Sequence, residues 1–168
     1  VSFHMHLRAV PASEIEGFDH ARLVDFMAAG RDPDVLRAEQ AGGVAESVEK
    51  DFLSLNDLLA AGARSPEGRD GAWELPVFGG RILHDPAGPE APFAVLDPAG
   101  TARAAGFLSG VAFEMLWDSA GAELCAAYGP GWDADEIRRH YGGLHSALRT
   151  FYERASASGH AVAKAFWF

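Results

Sequence analysis

The chain has 168 residues, of which 24 are Asp or Glu and 14 are Lys or Arg, for a formal net charge of -10. That balance excludes docking on a phosphate backbone or an anionic lipid surface, which need clustered basic residues, and makes a basic protein the electrostatically suited partner. Apolar residues at 48% fit one globular domain over residues 1–168, the lone Cys125 excludes an internal disulfide and points to a reducing cytoplasm, and no apolar run approaches a membrane span.

In VSFHMHLRAV, Phe3, Met5 and Leu7 alternate with Ser2, His4, His6 and Arg8, which predicts a half-buried strand ended by Pro11. Ser13 and Glu16 have the spacing of a capping box for a brief turn that Gly17 stops. Asp19 opens a second helix with Leu23, Phe26 and Met27 on its apolar face, closed by Gly30. Asp32 then Pro33 is an N-cap followed by proline at the first helical position, where its missing amide hydrogen costs nothing, and predicts a helix to about Ala41. After Gly42 and Gly43, residues Val48, Phe52, Leu55 and Leu59 recur at spacings of four, three and four and predict a helix that ends at Gly62.

The stretch GARSPEGRDG, from Gly62 to Gly71, is a surface loop by composition, and the prolines and glycines of WELPVFGG and RILHDPAGPEAP allow only short extended pieces. FAVL is a strand, and Asp97 with Pro98 repeats the cap-then-proline device for an Ala-rich helix containing Phe107 and Leu108. VAFEMLWDSAGAELCAAYG predicts another helix, stopped by Gly129 and Pro130. Asp133 with Glu136 starts the last one; Gly142 and Gly143 interrupt it, and Leu144, Leu148, Phe151 and Ala155 then line one buried face. Gly159 stops that helix, and AVAKAFWF reads as a strand with Phe166 and Phe168 on one face and Trp167 on the other. Such a strand is either covered on both sides or placed at a subunit contact, which would make a homo-oligomer. The predicted fold is a single α+β domain, with five or six helices packed on a small, mainly antiparallel sheet that contains the N-terminal and C-terminal strands.

Five stretches together resemble the YfbM-like family, a bacterial domain of unknown function: LRAVPASEI, VEKDFLSLNDLLAAG, PVFGG, FAVLDPAGTARAAGFL and LRTFYERASASGHAVAKAF. The last is the most specific, with its FY pair, small-residue turn and terminal strand in the family's order. The sequence departs from the family where Phe52, Leu53 and Asn56 replace a usual tryptophan and histidine, and where AGPEAP replaces a glycine-tyrosine-glycine-proline run. The resemblance implies a single α+β domain and brings no catalytic residue, ligand or cofactor with it.

His4 and His6 are the sharpest chemical signal, because residues two apart on a strand share a face, as a metal pair requires. A third ligand would have to come from His84, Asp85, His140, His145 or His160, and the plainer reading is a polar strand face. Ser119 in WDSAGAEL fails as a nucleophile elbow, since Trp117 stands where that turn needs glycine, and Asp118 reads as a helix cap. Cys125, in an apolar helical run, reads as a small hydrophobe rather than a nucleophile for His140 or His145. Trp132, Tyr141, Phe151 and Tyr152 have faces for stacking but helical spacing suited to a core, and no glycine pattern cradles a nucleotide, so no cofactor is expected. The longest irregular region, Gly62 to Pro92, offers Trp73, Arg81 and His84 as ligand- or partner-binding residues. The sequence therefore favours a non-enzymatic binding module for a basic partner, of immunity or regulatory type, over a small-molecule or metal-dependent hydrolase built on His4 and His6.

Overall fold

The computed structural model of the chain describes residues 4–85 and 93–167. The expectations for Ser2, Phe3, Phe168 and AGPEAP lie outside the described residues. Five strands, β1 (His4–Pro11), β2 (Ala45–Val48), β3 (Arg81–Leu83), β4 (Phe93–Leu96) and β5 (His160–Trp167), form one sheet in the order β2-β1-β5-β4-β3. Every neighbouring pair is antiparallel, and β1 and β5 lie side by side over their whole length, from His4 opposite Trp167 to Pro11 opposite His160. The helices are α1 (Ala12–Ile15), α2 (His20–Ala29), α3 (Pro33–Gly42), α4 (Phe52–Ala60), α5 (Pro98–Gly110), α6 (Phe113–Tyr128) and α7 (Ala134–Ala157), with a 3-10 helix at Arg69–Glu74. This is the predicted α+β domain; the helices beyond the expected five or six are the one-turn α1 and the 3-10 segment.

Helices cover both faces of the sheet. Met5 and Leu7 of β1, Ala94 and Leu96 of β4 and Val162 and Phe166 of β5 meet α4 to α7 in the larger core. Alternate residues point the other way, where Val10, Phe93, Val95, Ala161, Ala163 and Ala165 meet Ile15 of α1 and Leu23 and Met27 of α2. Three alanines in a row on that face of β5 leave room for the helices to close on the sheet. The polar face of β1 is thus covered rather than half-exposed, and His6 is only 2% exposed. Arg8 tolerates that burial because Glu39 of α3 accepts from its Nε at 2.9 Å, the Phe26 carbonyl accepts from Nη1, and its guanidinium lies 4.0 Å over the Phe26 ring.

Four local expectations change. Residues 45–48 are strand, not helix: Gly43, with φ of 72°, ends α3 in the left-handed conformation and turns the chain back to pair with β1. The helix starts only at Phe52. Helix α7 passes unbroken through Gly142 and Gly143. Its buried stripe of Ile137, Tyr141, Leu148, Phe151, Tyr152 and Ala155 outweighs the cost of about 1 kcal/mol per helical glycine, and Gly142 faces Phe113 of α6, whose ring would lie 3.3 Å from an added Cβ. Asp118 and Ser119 sit inside α6, so Asp118 caps nothing and no elbow exists at Ser119. Ser13 likewise makes no cap, since α1 starts from Pro11 without a side-chain hydrogen bond.

The chain contains one buried lysine, in the middle of its central strand. Lys164 is 0% exposed and its Nζ donates to the carbonyls of Leu75, at 2.7 Å, and Gly79, at 2.5 Å. Tyr152, also fully buried, donates to the Pro76 carbonyl at 2.9 Å. Together they fasten the loop LPVFGG to the core. Gly80, at φ of 119°, and Gly79, whose Cβ would fall 2.7 Å from the Leu75 Cα, let the loop turn tightly enough to present those carbonyls. Burial pulls the Lys164 amine down to about 7.

Candidate functional site

A pocket of about 350 Å³ lies where the N-terminal ends of α4 and α7 meet the C-terminal end of α6. Gly129, at φ of 86°, stops α6 directly after Tyr128, and a short turn carries Trp132 to Asp133, whose carboxylate caps α7 by accepting from the amides of Asp135 and Glu136. The first turns of α7 then set Glu136, Ile137 and His140 along the pocket wall. Lys50 and Asp51, just before α4, complete it.

Asp51 occupies the N-cap position of α4, yet its side chain caps no backbone amide. Its carboxylate instead accepts from Tyr128 at 3.0 Å through Oδ1, and Oδ2 lies 2.9 Å from His140 Nε2. A carboxylate only accepts, so His140 donates through Nε2. The Tyr128 proton is committed to Asp51, so the 2.8 Å contact between the Tyr128 and Tyr141 hydroxyls is a bond donated by Tyr141. The result is a chain of hydrogen bonds from buried Tyr141 through Tyr128 to a carboxylate that also holds an imidazole. Burial raises both tyrosines above the usual phenol range, and for Tyr128 the bond it donates to Asp51 adds to the rise, so both remain hydroxyls. Trp132 stands edge-on to Tyr128, with ring centres 5.5 Å apart, and is 61% exposed, the most exposed of the large apolar side chains described.

A second pocket, about 290 Å³, holds the two histidines singled out from the sequence. His4 and His6 line it with Arg31, Leu36, Ser47 and Glu49. The alternation in β1 did place both imidazoles on one face. Among the described residues no three His, Cys, Asp or Glu side chains come together as a metal set. His6 Nε2 is buried with no hydrogen-bond partner, and burial, then the nearby Arg8 charge, lowers its pKa to about 4. That depressed value has a sign: the unfolded imidazole binds a proton near 6.5 and the folded one does not until about 4, so the contribution to stability is complete above 6.5 and lost as pH falls toward 4. Wild type is expected to lose up to about 3 kcal/mol more than His6→Gln over that interval, read from urea melts at several pH values; parallel curves would contradict it.

The loop residues fall in different places. Trp73, on the 3-10 helix, is half-buried and packs against the larger core, whereas Arg81 and His84 are exposed on and just after the edge strand β3. No hydrogen bond, ion pair or ring contact among the described residues joins Trp73 to either. Cys125 is half-buried on α6 against the larger core. Sequence reasoning missed the pocket at Asp51, because its parts lie 77 and 89 residues apart and the helical spacing read from Val48 set Asp51 inside a helix. A signal was present in GPGW, where glycines and proline keep Trp132 out of the helical core spacing read for it with Tyr141, Phe151 and Tyr152; the ring is exposed between α6 and α7.

The family model for a domain of unknown function, DUF1877, matches residues 2–164. The chain belongs to that family. No curated protein and no solved structure matches it. Among the described residues no helix is long and apolar enough to cross a membrane.

Proposed function

We propose that this DUF1877 domain is a binding module that takes a cationic group, such as a lysine or arginine side chain of a basic protein, into the pocket at Asp51. The observation that carries the reading is the exposed Trp132 ring beside Tyr128 over a pocket whose wall includes the carboxylates of Asp51 and Glu136. Aromatic faces attract a cation through their quadrupole, and a partly desolvated carboxylate adds a directional charge-assisted hydrogen bond. The hydrogen bonds from Tyr128 and His140 hold Asp51 in place before a ligand arrives, so little ordering cost falls on binding. A net charge of -10 would draw a basic partner toward the surface, and an immunity-type or regulatory contact fits that field.

Titration calorimetry with an octa-arginine peptide tests this. Saturable binding is expected, with affinity lowered about tenfold or more by Trp132→Ala and by Asp51→Asn. Trp132→Ala should leave stability within about 0.5 kcal/mol, because the ring is exposed. Unchanged affinity in Trp132→Ala would show that the peptide reads only diffuse charge and would sink the proposal.

A further inference from the structure

The second pocket is assigned by neither the family nor the reading above. Its lining is unusual for so acidic a chain, because donors outnumber carboxylates. Arg31 forms no ion pair among the described residues; its guanidinium lies 4.6 Å over the Trp167 ring, which leaves the N–H fork unused. Ser47 Oγ accepts from Gln40 Nε2 at 3.1 Å, so the hydroxyl proton is free to be donated. His6 is buried with an unpartnered Nε2, and His4 stands two residues away on the same face. Trp167, opposite His4 across the strands, carries another buried donor without a partner, Nε1. A buried polar group left unpaired is costly, so a ligand that pairs with His6 Nε2, as a carboxylate does with the Nε2–H tautomer, gains what the free fold lacks. Glu49 is the one carboxylate on the described lining.

From this arrangement we infer that the His4–His6 pocket binds a small carboxylate that also bears a hydroxyl or ammonium group. The carboxylate is received by Arg31, Ser47 and the histidines, and the donor group by Glu49. A guanidinium matches a carboxylate with two parallel N–H bonds, whereas Glu49 would repel the second charge of a dianion and hydrogen-bond only a ligand that can donate back. A volume of about 290 Å³ limits the ligand to a small molecule.

The test uses the uniformly ¹⁵N-labelled full chain, titrated separately with glycolate, glycine, acetate and inorganic phosphate and followed by amide correlation spectra. Glycolate or glycine is expected to shift the Arg31 and Ser47 amides saturably while those of Trp132 stay fixed, and to bind about tenfold more weakly to Arg31→Gln. Glu49→Gln, at an exposed residue, should erase the preference for glycolate over acetate. The inference fails if no carboxylate gives a saturable shift, if Arg31→Gln binds as the parent does, or if phosphate binds more tightly than glycolate. Because no lining residue is shared with the Asp51 pocket, failure here leaves the octa-arginine result standing, and the converse holds.

Discussion

A chain that stops at Gly159 is expected not to fold. The missing residues form β5, which sits at the centre of the sheet with β1 on one side and β4 on the other. Its loss removes Val162 and Phe166 from the larger core and Ala161, Ala163 and Ala165 from the smaller one. Burial of Val162 and Phe166 alone is worth about 1.5–3 kcal/mol each, and two strands would be left with unpaired backbone groups along their full length. Against a usual domain stability of about 5–15 kcal/mol that loss is decisive, and the exposed strand edges favour aggregation. Circular dichroism in the near ultraviolet and a thermal melt are the measurements. A truncated protein that stayed soluble, monomeric and cooperative would contradict the central role of β5.

Replacement of Lys164 is the second large effect. Lys164→Ala leaves the Leu75 and Gly79 carbonyls without their donor and empties the space of a four-carbon stem, for an expected loss of about 3–5 kcal/mol in denaturant unfolding. Lys164→Met fills that space and isolates the polar part, so it should cost less. The two variants also separate a pH effect. The folded amine has a pKa near 7 and the unfolded one near 10.5, so below 7 the fold carries the whole cost of a buried ammonium, and between 7 and 10.5 the unfolded chain alone holds the proton. Stability should therefore rise through that window by at most about 1.4 kcal/mol per pH unit in wild type, relative to Lys164→Met. The geometry agrees, because a neutral amine has two N–H donors and two carbonyls meet them. Equal pH dependence of the two proteins, or full stability of Lys164→Ala, would overturn this account.

Lys164 also shows how stretches far apart in the sequence work together in space. PVFGG supplies the carbonyls of Pro76 and Gly79, the FY pair supplies Tyr152, and the terminal strand supplies the lysine. In one dimension PVFGG stands far from the other two pieces, which share one stretch. The predicted terminal strand was correct, but a lysine within AVAKAFWF gives no sign of being buried until the loop that accepts its protons is folded over it.

The sequence by itself determined the elements whose signals are local. Asp19, Asp32, Asp97 and Asp133 cap the helices expected of them, because an Asp side chain reaches amides two or three residues ahead whatever the rest of the chain does. Period-two alternation placed His4 and His6 on one face of β1, and the apolar run marked β5 as a strand either covered on both sides or held at a subunit contact, of which the fold shows the first. Tertiary structure decided whatever depended on partners far along the chain. It made residues 45–48 a strand, because pairing with β1 outweighs a helical spacing of apolar residues, and it carried α7 through two glycines, because a buried face outweighs intrinsic propensity. It likewise made Asp51, set inside the predicted helix, the anchor of a pocket, since the Tyr128 hydroxyl and the His140 imidazole reach that carboxylate only after α6 and α7 have packed beside α4.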